Sequence, residues 1–311
     1  MPAAQRGKPM SEGQIVLSRL TKHYRGVRAV DELSFQVEAG RVTGFLGPNG
    51  AGKTTTLRML LGLVQPTSGE AAIGGRRYVD LAQPIRTVGA VLDASAAHQG
   101  RTGRNHLRVY CAAAGLPYSR ADEVLDQVGL TAAADRKFKG YSLGMKQRLG
   151  IATAMLGDPG VLILDEPANG LDPEGIHWLR GFLRRLAADG RTVLVSSHLL
   201  TEMQSLADDV VIVAAGKLIR QGRISELLQT VSRSRIRIRT PRLAELAAAL
   251  TAVGAIVETT TAGTLLVEGI DQATVSRTAL GAQLEIHDLG TDTPDLEQAF
   301  LELTSGKAAI R

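Results

Sequence analysis

The chain has 311 residues, 44% of them apolar, and a formal net charge of +5; this suffices for one large packed domain and a small one, with a basic bias too mild to imply a nucleic-acid partner. No run of about 18 apolar residues occurs, which excludes a membrane-spanning helix, and the polar first dozen residues lack the apolar stretch of a secretory signal. The single cysteine, Cys111, cannot form an internal disulfide, so a reducing cytoplasm is the default and Cys111 reads as a small buried apolar residue.

Residues 1–13 read as a flexible tail. Residues 14–20 and 29–37 read as strands, and 41–46 as an apolar strand entering a glycine-rich turn. Residues 54–63 continue as a helix. A short strand follows at 87–92, then helices at 104–114 and 119–128, stopped by Gly115 and Gly129. A helix over 142–156 ends at Gly157 and Pro159. Residues 161–164 are a buried strand, and 173–188 a helix with proline in its first turn. Strands at 192–196 and 210–213 complete an alternation that predicts a mostly parallel sheet with helices on both faces.

The pattern changes near Leu228. From Arg235 it reads strand, helix (241–253), strand (256–260), strand (264–268), helix (272–280), strand (284–289) and helix (295–304). The first six follow the β-α-β-β-α-β order of ferredoxin-like domains. The expected division is therefore a nucleotide-binding domain over 14–228 and a C-terminal α+β domain over 232–311.

Gly47-Pro48-Asn49-Gly50-Ala51-Gly52-Lys53-Thr54 fits G-x-x-x-x-G-K-[ST] between a strand and a helix, the setting of a P-loop. Its glycines let backbone N–H groups approach a phosphate chain, and the helix after them turns its positive end toward it. Lys53 supplies a cation for the β- and γ-phosphates; the Thr54 hydroxyl is a ligand for Mg²⁺, and Thr55 completes the ATP-binding run. The strand 161–164 ends in Asp165 and Glu166. Beside a P-loop, such a strand brings Asp165 to the Mg²⁺ shell and lets Glu166 poise the attacking water. Ser142 is placed as the N-cap of the next helix upstream.

Together these stretches resemble the ATP-binding subunits of ABC transporters, over about residues 14–228. The resemblance implies a P-loop NTPase fold of the ABC ATPase type: a mostly parallel sheet flanked by helices, with antiparallel strands and a helical subdomain. It implies that Ser142, Leu143, Gly144 and Met145 form the signature motif, which caps the γ-phosphate of an ATP held by a partner's P-loop. Tyr24 falls where the family stacks an aromatic on adenine. Asn169, Gly170, Leu171 and Asp172 match the D-loop at the dimer interface, and His198 the switch histidine that contacts the γ-phosphate. Implied further are Mg²⁺-dependent ATP hydrolysis, a homodimer enclosing two ATP molecules, a separate membrane permease, and a place on the inner face of the cell membrane.

Two departures stand out. The signature usually reads L-S-G-G-Q, and here Tyr141, Leu143 and Met145 replace three of those residues. Asp93 stands where the family carries a glutamine that touches Mg²⁺ and water; a carboxylate can also contact a hard cation. The run from Tyr141 to Leu149 and the closing segment 296–304 are similar to the ATPases of daunorubicin- and bacitracin-resistance exporters. Export of a drug or antibiotic is the resulting expectation; a non-transport ABC-type ATPase or an importer subunit are the alternatives. Arg101, Arg104 and Arg108 are either a solvated helix face or a permease-docking surface. Arg233, Arg235, Arg237 and Arg239 share one face of a strand, to be solvated or drawn to anionic lipid.

Overall fold

A computed structural model describes residues 13–94, 96–231, 235–260 and 263–292. The tail at 1–12, Arg233 and the helix expected over 295–304 lie outside these. The chain divides into two compact units, with the change after Ile224.

The first unit runs through β1 (Ile15–Tyr24), β2 (Val27–Val37), β3 (Val42–Leu46), α1 (Lys53–Leu60), β4 (Ser68–Ile73), α2 (Pro84–Thr87) and β5 (Val88–Val91). It continues with α3 (Gly103–Ala114), α4 (Ser119–Gln127), α5 (Leu143–Met155), β6 (Val161–Leu164) and α6 (Pro173–Ala188). Then come β7 (Thr192–Ser197), α7 (Leu200–Leu206), β8 (Asp209–Ala214) and β9 (Lys217–Arg223), and α8 (Ile224–Val231) begins at the division.

Six strands form one sheet in the order β5-β6-β7-β3-β8-β9, parallel except for the β8–β9 hairpin. Every residue of β3, β6 and β7 is buried. That follows from their predominantly apolar sequences, unbroken in β6, which suit a strand covered on both faces and do not alternate. Because β6, β7 and β3 are parallel neighbours, the turns after them all leave the same edge of the sheet. Ligand sites of open α/β sheets form at that edge.

A second sheet, β2-β1-β4, is antiparallel. Its register shifts around Leu17 and Leu20, where Arg19 and Glu32 take φ of 45° and 47°, as bulges that bend a strand do. Leu17, Leu20, Phe35 and Ile73 from this sheet join Phe45 and Leu57 in one core, with the Phe35 and Phe45 rings 5.3 Å apart. Each such side chain contributes about 1.5–3 kcal/mol on burial. Helix α1 stops at Leu60, short of the expected 63, because Gly62 (φ 68°) turns the chain and its N–H bonds back to the Met59 carbonyl at 3.0 Å; a left-handed glycine is a common helix stop.

Helices α3, α4 and α5 pack on one another through Leu107, Cys111, Val124, Leu125 and Leu149, all buried. Thr102, Ser142 and Asp172 accept the N–H three residues on, starting α3, α5 and α6; of these caps Ser142 is the one expected from the sequence. Burial pushes the Cys111 thiol up from its ordinary value, so the thiolate that would make it reactive is disfavoured.

The second unit contains β10 (Arg235–Arg239), α9 (Leu243–Ala252), β11 (Ile256–Thr259), β12 (Leu265–Glu268), α10 (Gln272–Gly281) and β13 (Asp288–Asp292). Its sheet order is β11-β12-β10-β13, with every neighbour antiparallel, which is the split β-α-β arrangement. Ile236, Ile238, Leu265 and Val267 alternate inward and meet Leu246, Leu250 and Val275 of the helices. One strand differs from expectation: β13 covers Asp288–Asp292, not 284–289. Leu284 is buried in the core, but the Glu285 carbonyl accepts from Thr240 Oγ1 at 2.7 Å, so this stretch enters the core as a loop. On the outward face Arg235 pairs with Glu268 (2.7 Å) and Glu258 (3.3 Å), and Arg237 with Asp288 (3.1 Å). Carboxylates of the same sheet thus answer these arginines, which supports the solvated reading over attraction to lipid.

Candidate nucleotide site

The turn after β3 wraps a cavity of about 330 Å³ lined by residues 48–55 together with Ala29, Glu166, Asn169 and His198. Gly47 N–H donates to the Ser197 carbonyl at 3.2 Å, tying the loop's start to the end of β7. At Gly52 φ is 94° and a Cβ would strike the Ala29 carbonyl. A glycine is therefore required where the loop turns into α1. Gly52 offers no side-chain cap, so the first-turn N–H groups of α1 point at the cavity, where an anion is the natural partner.

Lys53 is only 6% exposed. Its Nζ donates to the Gly47 carbonyl at 2.6 Å and lies 3.3 Å from Glu166 Oε1. A buried ammonium needs such partners, since desolvation without them is costly. Thr54 Oγ1 donates to Asp165 Oδ2 at 2.7 Å. Asp165 Oδ1 accepts from the Ser196 hydroxyl, and the same oxygen of Ser196 accepts Glu166 N–H at 2.9 Å. Glu166 Oε2 lies 2.9 Å from His198 Nδ1. Glu166 has φ 49°, a left-handed conformation that costs a non-glycine residue about 1–2 kcal/mol and tends to occur at functional sites. The carboxylate pair, the lysine and the histidine are thus gathered by three adjacent strand ends.

Other residues singled out in the sequence lie elsewhere. Tyr24 stands outside the walls of this cavity, at the end of β1, 44% exposed with Lys22 Nζ 5.0 Å from its ring centre. Ser142 caps α5 through Met145 N–H at 3.3 Å. Leu143 lies against Gly170, leaving no room for a Cβ there, and Leu171 faces Gly144; the segments 142–145 and 169–172 therefore touch within one chain. Asp172 caps α6 through Gly175 N–H at 2.7 Å. Asp93 lines a second cavity with His106, Tyr110 and Phe138. Burial, and next the charge of Arg101, hold His106 below the ordinary imidazole range. Arg104 pairs with Asp122 and with Asp135 (3.1 Å), so part of the basic cluster is neutralised locally.

Ser196 carries no motif that singles it out in the sequence; Ser197 is marked there only as the neighbour of His198. The available signal was two hydroxyls ending an otherwise apolar strand next to His198. No helix among the described residues is long and apolar enough to cross a membrane.

A sequence model described as "ABC transporter" matches residues 30–169, and one described as a domain of unknown function (DUF8746) matches residues 234–297. The chain is 34% identical over 310 residues to the daunorubicin/doxorubicin resistance ATP-binding protein DrrA of Streptomyces peucetius, covering 96% of this chain and 94% of that protein. It is 44% identical over 205 residues to the bacitracin transport ATP-binding protein BcrA of Bacillus licheniformis, covering 65% and 67%. Among solved structures, an ATP-binding subunit of an ABC transporter superposes with a TM-score of 0.62 at 27% identity, covering 70% of this chain and 92% of that one. The P-loop cavity, the carboxylate pair beside it and full-length similarity agree: the chain belongs to the ABC transporter family, as an ATP-binding subunit.

Proposed function

We propose that this ABC ATPase powers a separate membrane permease that exports a drug, an antibiotic or another amphipathic compound. The observation that carries the ATPase chemistry is one cavity wall shared by Lys53, Glu166 and His198 against the P-loop. Relatives named for bacitracin transport and daunorubicin/doxorubicin resistance support export.

The phosphate chain of ATP lies along the P-loop N–H groups, with Lys53 at its β- and γ-phosphates. Thr54 Oγ1, on a residue that lines the cavity, and Asp165 Oδ2, 2.7 Å from it, are adjacent hard oxygens that fit Mg²⁺, which takes few protein ligands and keeps water and phosphate oxygens. Held there, Mg²⁺ would supply positive charge to offset that of the phosphates. Glu166 accepts the proton of the attacking water, and His198, held on its far oxygen, contacts the γ-phosphate. Tyr24 stacks on adenine. Asp93 follows β5 by two residues, and its contact with the metal shell is part of this proposal; a shifted Mg²⁺ titration of turnover in Asp93→Asn is its test.

Ser142, Leu143, Gly144 and Met145 act on the ATP of a second copy. They stand outside this chain's cavity and at an exposed helix start, as a motif used in trans requires. Two chains close around two ATP molecules, with Asn169, Gly170, Leu171 and Asp172 along the interface. Closure moves the permease, and hydrolysis with product release reopens it. The ATPase sits on the cytoplasmic face of the membrane, docked to its permease, and the second unit is an accessory domain that supplies no reacting group.

The test is Glu166→Gln. An amide cannot take the proton, so turnover falls about 100-fold or more while ATP still binds. Size measurement with ATP then shows a dimer that the wild type does not accumulate. Normal turnover in this variant rejects Glu166 as the base; slow turnover with a persistent monomer rejects the dimer.

A further inference from the structure

We infer that Ser196 is a positioning residue that fixes Asp165 and Glu166 relative to each other. Its side chain is fully buried at the end of β7. One hydroxyl serves both acidic residues: it donates to Asp165 Oδ1 and accepts the backbone N–H of Glu166 at 2.9 Å. Thr54 holds the other oxygen of Asp165 at 2.7 Å. The Asp165 carboxylate is therefore pinned on both sides, from the P-loop helix and from β7.

The second contact matters because of the backbone it meets. Glu166 sits at φ 49°, and a side chain there needs surrounding structure to hold it. Asp165 N–H is fixed to the Val91 carbonyl at 2.8 Å, so the chain is anchored one residue earlier and can swing at Glu166. Ser196 removes that freedom. Without its hydroxyl, the part-buried Glu166 N–H loses its partner and Asp165 loses a donor. The adjacent Ser197 does something different: its hydroxyl donates to Glu202 at 2.7 Å and accepts Leu199 N–H at 3.0 Å. The two consecutive serines are thus not interchangeable.

This inference rests on the roles proposed above for Asp165 and Glu166. It is tested in the full chain with Ser196→Ala and Ser196→Thr, measured beside Glu166→Gln. Ser196→Ala is expected to lower kcat about tenfold or more, since a misplaced base loses transition-state contact. Metal-free binding of a fluorescent ATP analogue is expected to change less than about threefold, because the P-loop contacts remain. The Mg²⁺ concentration for half-maximal analogue binding rises, and Ser196→Thr, which keeps the hydroxyl, restores most of kcat. Should Ser196→Ala not fold, Ser196→Cys carries the same expectation with a weaker donor and similar size. Wild-type kcat and Mg²⁺ titration in Ser196→Ala, with Glu166→Gln slow, would overturn the role of Ser196 alone. Equal losses in the Ala and Thr variants, together with lost metal-free binding, would reduce it to packing. Normal turnover in Glu166→Gln would overturn the base assignment and this inference with it.

Discussion

In the first unit Lys53 is 6% exposed and meets Glu166 at 3.3 Å; in the second, Arg235 and Arg237 lie on an outward sheet face and meet Glu268 and Asp288 at 2.7 and 3.1 Å. The distances are similar and the physics is not. The outward-face pairs, exposed at Arg237–Asp288 and half-buried at Arg235–Glu268, keep their guanidinium groups in reach of water and gain little, typically 0–1 kcal/mol. The buried lysine depends on its partners, because removing them leaves an uncompensated charge. Beneath these pairs the second unit keeps an apolar core cluster, joined among the described residues by the buried threonines Thr240 and Thr264 and by no buried charged side chain. At Lys53 the buried charge belongs to the candidate site, and at Arg237 the exposed one belongs to a surface.

Lys53→Ala breaks the buried side of that comparison and has the largest expected effect. ATPase activity falls at least about 100-fold, since a preorganised cation at the phosphates is lost; activity within a few-fold of wild type would contradict the site. Next in size is Leu246→Ala, aimed at the fully buried core of the second unit. It costs about 2–5 kcal/mol there. The proposed accessory role predicts that nucleotide affinity stays within a few-fold, read by titration beside a thermal melt. Truncation after Thr230 sharpens the same point: the remainder stays soluble and binds ATP, with altered turnover or weaker dimerisation. A folded truncation unable to bind ATP would show that the second unit contributes to the site.

An intermediate case lies within the first unit. Asp31 is 9% exposed and pairs with Arg28 at 2.8 Å and Lys217 at 3.1 Å. Burial pushes its carboxyl up, but hydrogen bonds from Lys217 and Arg28 outweigh this and leave it below the ordinary value. A depressed folded-state pKa stabilises above the unfolded value near 3.9, and the gain is lost as pH falls through the folded one. Asp31→Asn is expected to lower stability by a few tenths to about 1 kcal/mol at neutral pH. The difference from wild type shrinks below about pH 4 in acid melts. The smallest effect belongs to Arg237→Ala, expected within about 0.5 kcal/mol; a loss of several kcal/mol would erase the distinction between the two kinds of pair.

The central parallel strands are legible in the sequence because burial on both faces writes itself as a predominantly apolar run. The starts of α5 and α6 are legible because Ser142 is a capping residue and Pro173 suits a first helical turn. The P-loop and the Asp165–Glu166 pair are legible because spacing on one strand end is enough to define them. Strands β4 and β9 are not: both are largely exposed, and pairing with β1 and β8 decides them. No local pattern states such a partner. The strand expected near 284 is displaced for a related reason: Leu284 is apolar for the core, yet the ladder with β10 begins at Asp288. Ser196 is silent in the sequence because its importance lies in residues 30 and 31 positions away.

The pairing of Lys53 with Glu166 has a thermodynamic consequence for substrate. Lys53 already holds an anion at 3.3 Å, so an arriving phosphate enters by exchange. The free energy of ATP binding is then a difference: the attraction of Lys53 for phosphate, less its attraction for the carboxylate that leaves. A substitution that weakens the outgoing partner, such as Glu166→Gln, tightens ATP for that reason alone, apart from any effect on hydrolysis. The displaced carboxylate is the same group assigned to activate water. Substrate binding and release of the base are, on this geometry, a single event.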